Sequence, residues 1–261
     1  AATAKIPRME LDTAFNTFVN RALQRDAHSA FDEFVGNAEA FAKSQRKPVA
    51  RWEFEMTPQM RRLEPNLVCG VWTIFDYSGG AHPNTTYRTF NYGILGAKPS
   101  ALTFQNLLRP GLKASKVASD LLIPLLREKG ASSVVDRTRS SITTDEANCF
   151  VVTQSGLRWI FSPYMMGAYA EGAYVIDVPF HKLADVLDPE GPLGRHLGEE
   201  GQSLQNHPRP QGQDDRRGRV RGAERGVGAR GRRHARAGRV RHAARAARER
   251  GARRLACLRA A

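Results

Sequence analysis

Leu67, Val68, Cys69, Val71, Trp72, Ile74 and Phe75 put apolar side chains at both odd and even positions of one short run. No other feature of the sequence restricts the fold as much. Successive side chains of a strand point to opposite faces, so a run of this kind has to be covered on both sides. It belongs in the middle of a sheet, between two packed layers. Thr85 to Tyr92 is again rich in β-branched and aromatic residues, which predicts a second strand. Ser78-Gly79-Gly80-Ala81-His82-Pro83-Asn84 joins the two. Gly79 and Gly80 admit positive φ, Pro83 fixes its own φ and drives His82 toward extended geometry, and Asn84 tolerates turn conformations. The expectation is a central hairpin with a shaped tip.

The remaining segments supply layers for that hairpin. Residues 2–7 predict a strand edge ending at Pro7. Leu11, Phe15, Phe18, Val19 and Ala22 form one helical stripe, and Phe31, Phe34, Val35, Ala38, Phe41 and Ala42 form another. The two differ in phase around Asp26-Ala27-His28, which implies a bent helix or two helices laid on the sheet. Arg51 to Met56 alternates as a half-exposed strand, with Trp52, Phe54 and Met56 inward. A short helix is expected near Phe104 to Leu108, and an amphipathic one over Lys113 to Lys129, kinked or split at Pro124. Ser132 to Glu146 reads as loop or weak helix. Cys149 to Thr153 and Leu157 to Phe161 predict a second hairpin, Tyr174 to Val178 a further strand, and Pro179 introduces a short final helix through Leu187. Strand pairs joined by hairpins, with helices in separate runs, define an α+β class with a mostly antiparallel sheet and a long N-terminal helical segment packed on it. The domain so described spans residues 1–190, with a helix-strand part at 1–65 and a hairpin-rich part at 66–190.

Charge divides the chain at the same place. The net charge of +14 invites a nucleic-acid reading, but residues 206–261 hold 18 arginines against four acids, and residues 1–205 are balanced at 22 of each sign. From His207 onward there is no Lys, Ile, Met, Phe, Trp, Tyr, Ser, Thr or Asn. Residues 191–261 thus have too little to bury to offset their ordering entropy and are expected to be a disordered basic tail. An Arg/Ala/Gly composition without Lys is what a GC-rich gene read out of frame would yield, so the tail reads as frameshifted or non-native. With no aromatic for base stacking, the tail argues against nucleic acid as a partner. No apolar run approaches the ~18 residues of a membrane helix. Ala1-Ala2 fits the remnant of signal cleavage at small residues, and fits equally an arbitrary start.

Tests for chemistry return few positives. Cys69, Cys149 and Cys257 show no C-x-x-C spacing. Cys69 and Cys149 are either two buried thiols or a disulfide closing about 80 residues, worth about 4–5 kcal/mol in the chain-entropy treatment. G-x-S-x-G, H-E-x-x-H, P-loop and dinucleotide fingerprints are missing, so catalytic residues, cofactors and metals are all assigned as none. Asp76, His82 and Asn84 form the tightest polar group, with His82 read mainly as shaping the loop. Tyr164, Tyr169 and Tyr174 are read either as packing or as contacts for a protein or glycan. Met165-Met166, between Pro163 and Gly167, reads as an apolar tip suited to a partner.

One ordered set of motifs carries a resemblance. Asp76-Tyr77-Ser78-Gly79-Gly80-Ala81-His82-Pro83-Asn84-Thr85-Thr86-Tyr87 is followed by Phe90-Asn91-Tyr92 and Leu102-Thr103-Phe104 with Leu107-Leu108. Then come Ser155-Gly156-Leu157, Phe161-Ser162-Pro163-Tyr164, Ala168-Tyr169-Ala170-Glu171-Gly172, and Val178-Pro179-Phe180 with Leu183. This series resembles a domain of unknown function found in the lysozyme-sensing anti-sigma factor RsiV, in the non-catalytic part of PdaC-type peptidoglycan deacetylases and in a mycobacterial secreted immunogenic protein. The resemblance covers roughly residues 1–190. It implies a non-enzymatic extracytoplasmic recognition or sensor domain, periplasmic, secreted or tethered through a segment outside this chain. Its partner would be a lysozyme-like protein or a peptidoglycan glycan, contacted through Gly79, Gly80, His82, Asn84, Tyr87, Tyr164 and Tyr169. The alternative implied is an accessory domain of a peptidoglycan deacetylase. The deacetylase chemistry itself needs an Asp and a His-x-x-x-His pair, a spacing missing from residues 1–190.

Overall fold

The doubly apolar run becomes the central strand of a five-stranded sheet in the computed structural model, which describes residues 1–10, 12–45 and 52–197. Its strands are β1 (Ala2–Ala4), β2 (Glu53–Glu64), β3 (Leu67–Tyr77), β4 (Asn84–Leu95) and β5 (Lys98–Ala101), arranged in sequence order. β1 runs parallel to β2; every other pairing is antiparallel. A second sheet is formed by β6 (Phe150–Val152), β7 (Gly156–Phe161) and β8 (Tyr174–Pro179), all antiparallel. The α+β class is therefore observed, with its strands divided between two sheets. Pro58 is tolerated inside β2 because Phe54 N–H and Met56 C=O, on the same edge, bond residues 1 and 5. Past β1, among the described residues, no strand pairs with that edge to demand a donor from residue 58.

The parity of β3 explains how both its faces are covered. Val68, Trp72 and Ile74 join Phe54, Met56, Phe90 and Tyr92 beneath the helix α1 (Ala14–Gln45). Leu67 and Cys69 face the other way, into a core shared with β6, β7, β8 and α2 (Ala114–Glu128). The helix expected to bend or break near Asp26 is one 32-residue element. Its first stripe, Phe15, Val19, Ala22, Leu23, Ala27 and Ala30, packs over the sheet centre. Its second reaches Phe54 and Trp52 through Phe31, Phe34 and Phe41. The change of phase does not break the helix; its two stripes meet different parts of the sheet. Thr13 starts the helix by accepting the Asn16 N–H at 3.1 Å. Tyr92 donates to Asp26 on α1 at 2.9 Å, and burial pushes the Asp26 carboxyl above the usual carboxylate range.

The second sheet is fastened to β4 by side chains that substitute for a strand. Asn91, 4% exposed, donates through Nδ2 to the Phe150 carbonyl at 2.8 Å and accepts the Val152 N–H on Oδ1 at 2.9 Å. Ser162 Oγ accepts the Tyr87 N–H at 2.9 Å and donates to the Tyr87 carbonyl at 3.3 Å. Thr89 donates to the Asn148 carbonyl at 3.1 Å, while Asn148 Oδ1 accepts the Phe104 N–H at 2.8 Å. Buried backbone groups on the facing edges of β4 and β6 are thereby satisfied without a sheet-to-sheet ladder. Trp159 fills the space behind β6, with its ring against Phe104 and Phe150 and its Nε1–H on the Ala147 carbonyl.

Local expectations are met at some points and corrected at others. Of the two expectations for Pro124, the split does not occur, and α2 runs through it. Ser132 to Glu146, expected as loop or weak helix, holds the single helical turn α3 (Ser132–Val135) and the start of another, α4 (Thr144–Ala147), closed by a reciprocal Thr143–Glu146 cap. The final helix is short as expected, but α5 (Phe180–Leu183) ends before Leu187. Cys69 is a free buried thiol, so no Cys69–Cys149 disulfide forms, and burial pushes that thiol up to about 12. Packing continues past residue 190, since Leu193 is buried and His196 lies flat on Phe180 with Nε2 2.9 Å from Glu64. Leu11, Cys257 and the expected basic tail beyond residue 197 lie outside the described residues. Among the described residues no helix is long and apolar enough to cross a membrane.

Candidate functional site

The tip of the β3–β4 hairpin is exposed from Ser78 to Pro83. Gly79 turns the chain with φ of +78°, while Gly80 does not use the positive-φ region open to it. His82 stacks on Tyr169, ring centroids 4.1 Å apart and 21° from parallel. Tyr169 in turn meets Tyr164 at 5.2 Å. The Pro83 carbonyl accepts both the His82 Nδ1–H and the Tyr169 hydroxyl, each at 2.9 Å, and that shared acceptor fixes the stack. Since a carbonyl only accepts, these contacts place the imidazole proton on Nδ1. Residues 82 and 164–169 thus form one aromatic patch at the tip.

The other site residues predicted from the sequence separate from this group. Asn84 turns to Asp76 across the mouth of the hairpin, where it opposes the upward push of burial on the Asp76 carboxyl. Tyr87 packs partly buried against the core between the sheets. Tyr174 leaves the ring cluster and donates to Glu171. Met165-Met166 is no exposed tip: Met166 is fully buried, its carbonyl accepting from Ser133 Oγ at 2.7 Å, and the Met165 sulfur accepts the Ser162 N–H at 3.2 Å.

The loop bearing the tyrosines is shaped by a residue to which sequence reasoning gave no role. Glu171 Oε1 accepts from Ser132 Oγ at 2.7 Å and from the Ala168 N–H at 2.6 Å. Its Oε2 accepts from the Ser132 N–H at 3.1 Å and the Tyr174 hydroxyl at 2.7 Å. A Cβ at Gly167 would overlap that carboxylate, which accounts for glycine there. Tyr164 holds φ of +71°, a strained conformation for a bulky residue, and its side chain is 55% exposed by residue area. The signal available beforehand was a Glu three residues past the start of a tight turn, where it can reach back to the first N–H.

These donors, led by the Ser132 and Tyr174 hydroxyls, hold the Glu171 carboxyl down at about 2. A group with a depressed folded pKa adds stability that is complete above its ordinary value, 4.5, and is lost as pH falls toward about 2. The melting-temperature gap between wild type and Glu171→Gln is therefore expected to stay constant above about pH 5 and to close on acidification below that. A gap independent of pH down to 2 would contradict this role.

Among the described residues no group of three or more His, Cys, Asp or Glu side chains is placed to hold a metal ion. The chemistry on offer at the tip is that of stacked rings, hydroxyls and one imidazole. Fold and tip together describe a two-sheet α+β scaffold that presents an aromatic surface. Residues 105–181 match the family model described as a protein of unknown function, DUF3298. That segment contains Tyr164, Tyr169 and Glu171, but not the hairpin tip. Among solved structures, the chain is similar to a DUF3298 family member from Bacteroides fragilis, at 15% identity and TM-score 0.48, over 71% of this chain and 77% of the other. It is also similar to a DUF3298 family protein from Pseudomonas aeruginosa, at 19% identity and TM-score 0.42, over 53% of this chain and 63% of the other. No curated protein matches the chain.

Proposed function

We propose that this chain is a non-enzymatic extracytoplasmic recognition domain whose hairpin tip contacts a protein partner of the lysozyme type. The observation that carries the reading is the meeting of His82 with Tyr164 and Tyr169, from a distant part of the sequence, in one group of rings whose His82 and Tyr164 are exposed, on a strained, heavily bonded loop. Backbone strain held in place by its surroundings gathers at functional positions, and aromatic anchors supply much of the energy of protein interfaces. The resemblance of the motif series to that of the sensor RsiV is what supports this choice of partner class and compartment. A second reading, a glycan-binding accessory role beside a peptidoglycan deacetylase, is favoured by the contiguous ring faces, which suit the apolar face of a sugar.

Calorimetric titration of the full chain with lysozyme and with soluble peptidoglycan fragments tests both readings. Heat with one ligand is expected, and Tyr164→Ala or Tyr169→Ala is expected to weaken that binding about tenfold, the usual cost of truncating an interface anchor. Silence with both ligands would remove the proposal. Heat that survives both substitutions would move the contact elsewhere on the molecule.

A further inference from the structure

We infer that Glu171 is a positioning residue for the aromatic patch: its carboxylate clasps the 163–172 loop to α3 and thereby sets Tyr169 beneath His82. The inference rests on the reading of the tip as a recognition surface, and it adds the device that holds that surface in register. Two anchors fix the loop. Met166 is buried, and Ser133 bonds its carbonyl through both Oγ and N–H. Glu171 gathers the Ala168 N–H from its own loop, the Ser132 N–H and hydroxyl from α3, and the Tyr174 hydroxyl from the start of β8. Tyr164 precedes the first anchor by two residues, and Tyr169 precedes the second by two. The backbone that carries Tyr169 is short and held at each end, at Met166 and through Glu171, which leaves its ring at His82 and its hydroxyl on the Pro83 carbonyl.

The carboxylate is suited to this task as an amide is not. All four groups around it are donors, and a carboxylate only accepts. In Glu171→Gln the NH2 would face one hydroxyl and one backbone N–H wherever it lay; the hydroxyl can turn to accept from it, but the N–H is left without an acceptor and the charge that strengthens the remaining bonds is gone. Gly167 supplies the independent sign that the arrangement is built, since any side chain there would displace the carboxylate. Gly172, with φ of +74°, then turns the chain directly into β8.

The stack offers a readout that does not depend on a ligand. Imidazole protons lying over a tyrosine face are shifted upfield, and His82 is the ring stacked on Tyr169. In the full-length protein, Tyr169→Ala defines the loss of that shift. Glu171→Gln and Ser132→Ala are expected to lose more than half of it while the amide signals of β6 and β7 stay in place. A His82 shift unchanged in both variants would overturn the inference. So would loss of the β6 and β7 signals along with it, since the clasp would then be a general support of the fold. Binding is scored separately: if Tyr169→Ala binds the ligand of the calorimetric titration as wild type does, the recognition reading fails while the clasp stands.

Discussion

Asn91→Leu is expected to lower the unfolding free energy by about 3 kcal/mol, because it leaves two buried backbone groups unpaired at about 1–3 kcal/mol each. The groups are the Phe150 carbonyl and the Val152 N–H, which β6 turns away from β7 toward β4. Leucine has the branched outline of asparagine but is larger and carries neither a donor nor an acceptor, so some overpacking adds to the loss of the polar bridge. Asn91→Asp makes a useful companion: it keeps the acceptor for Val152, cannot donate to Phe150 when ionised, and buries a charge. Chemical denaturation should show both midpoints falling with little change in slope. A midpoint for Asn91→Leu within experimental error of wild type would mean that the two sheets are held by apolar packing alone.

The second large effect is expected at Gly70, where alanine should cost about 2–3 kcal/mol through overpacking. Gly70 sits in β3 opposite Phe90 on one side and Met60 on the other. A Cβ there would overlap the Phe90 ring and the Gln59 carbonyl oxygen. The ring has some room to yield; the carbonyl, held within the β2–β3 ladder, has little. Gly70→Ala paired with Phe90→Leu should therefore recover only part of the loss, and the same denaturation measurement distinguishes the cases. Full recovery would show that the backbone contact imposes no constraint.

Both positions show where reading the chain residue by residue succeeds and where it stops. The pattern of β3 is legible because alternation is a property of the strand itself: a run with apolar residues at both odd and even positions has to be covered on both faces. The antiparallel class, the exposed Gly-Pro tip and most strand positions followed from the same local rules. Asn91 stood in the motif series as Phe90-Asn91-Tyr92 and seemed merely part of a strand. Its role depends on Phe150 and Val152, 59 and 61 residues away, and no local pattern announces that an amide will take the place of a neighbouring strand. The helix shows a related limit. Its two apolar stripes leave one bent helix and two helices both open, and the surface that decides between them is made largely by strands that come later in the chain.

The candidate site divides along the same line. Gly79, His82, Tyr164 and Tyr169 were selected as residue types, from turn chemistry and from ordered motifs. That His82 and Tyr169 share one acceptor, while Asn84 and Tyr87 face elsewhere, follows only when β4 and the 163–172 loop are packed side by side. Sequence alone determined the central hairpin, most of the other strands, the two long helical segments and which loop is shaped, because steric and apolar periodicities act between near neighbours, but it did not show β5 or the full length of β2. The tertiary structure decided that the strands divide into two sheets and that Glu171 governs the patch, because hydrogen bonds between distant segments form only after the chain has brought them together.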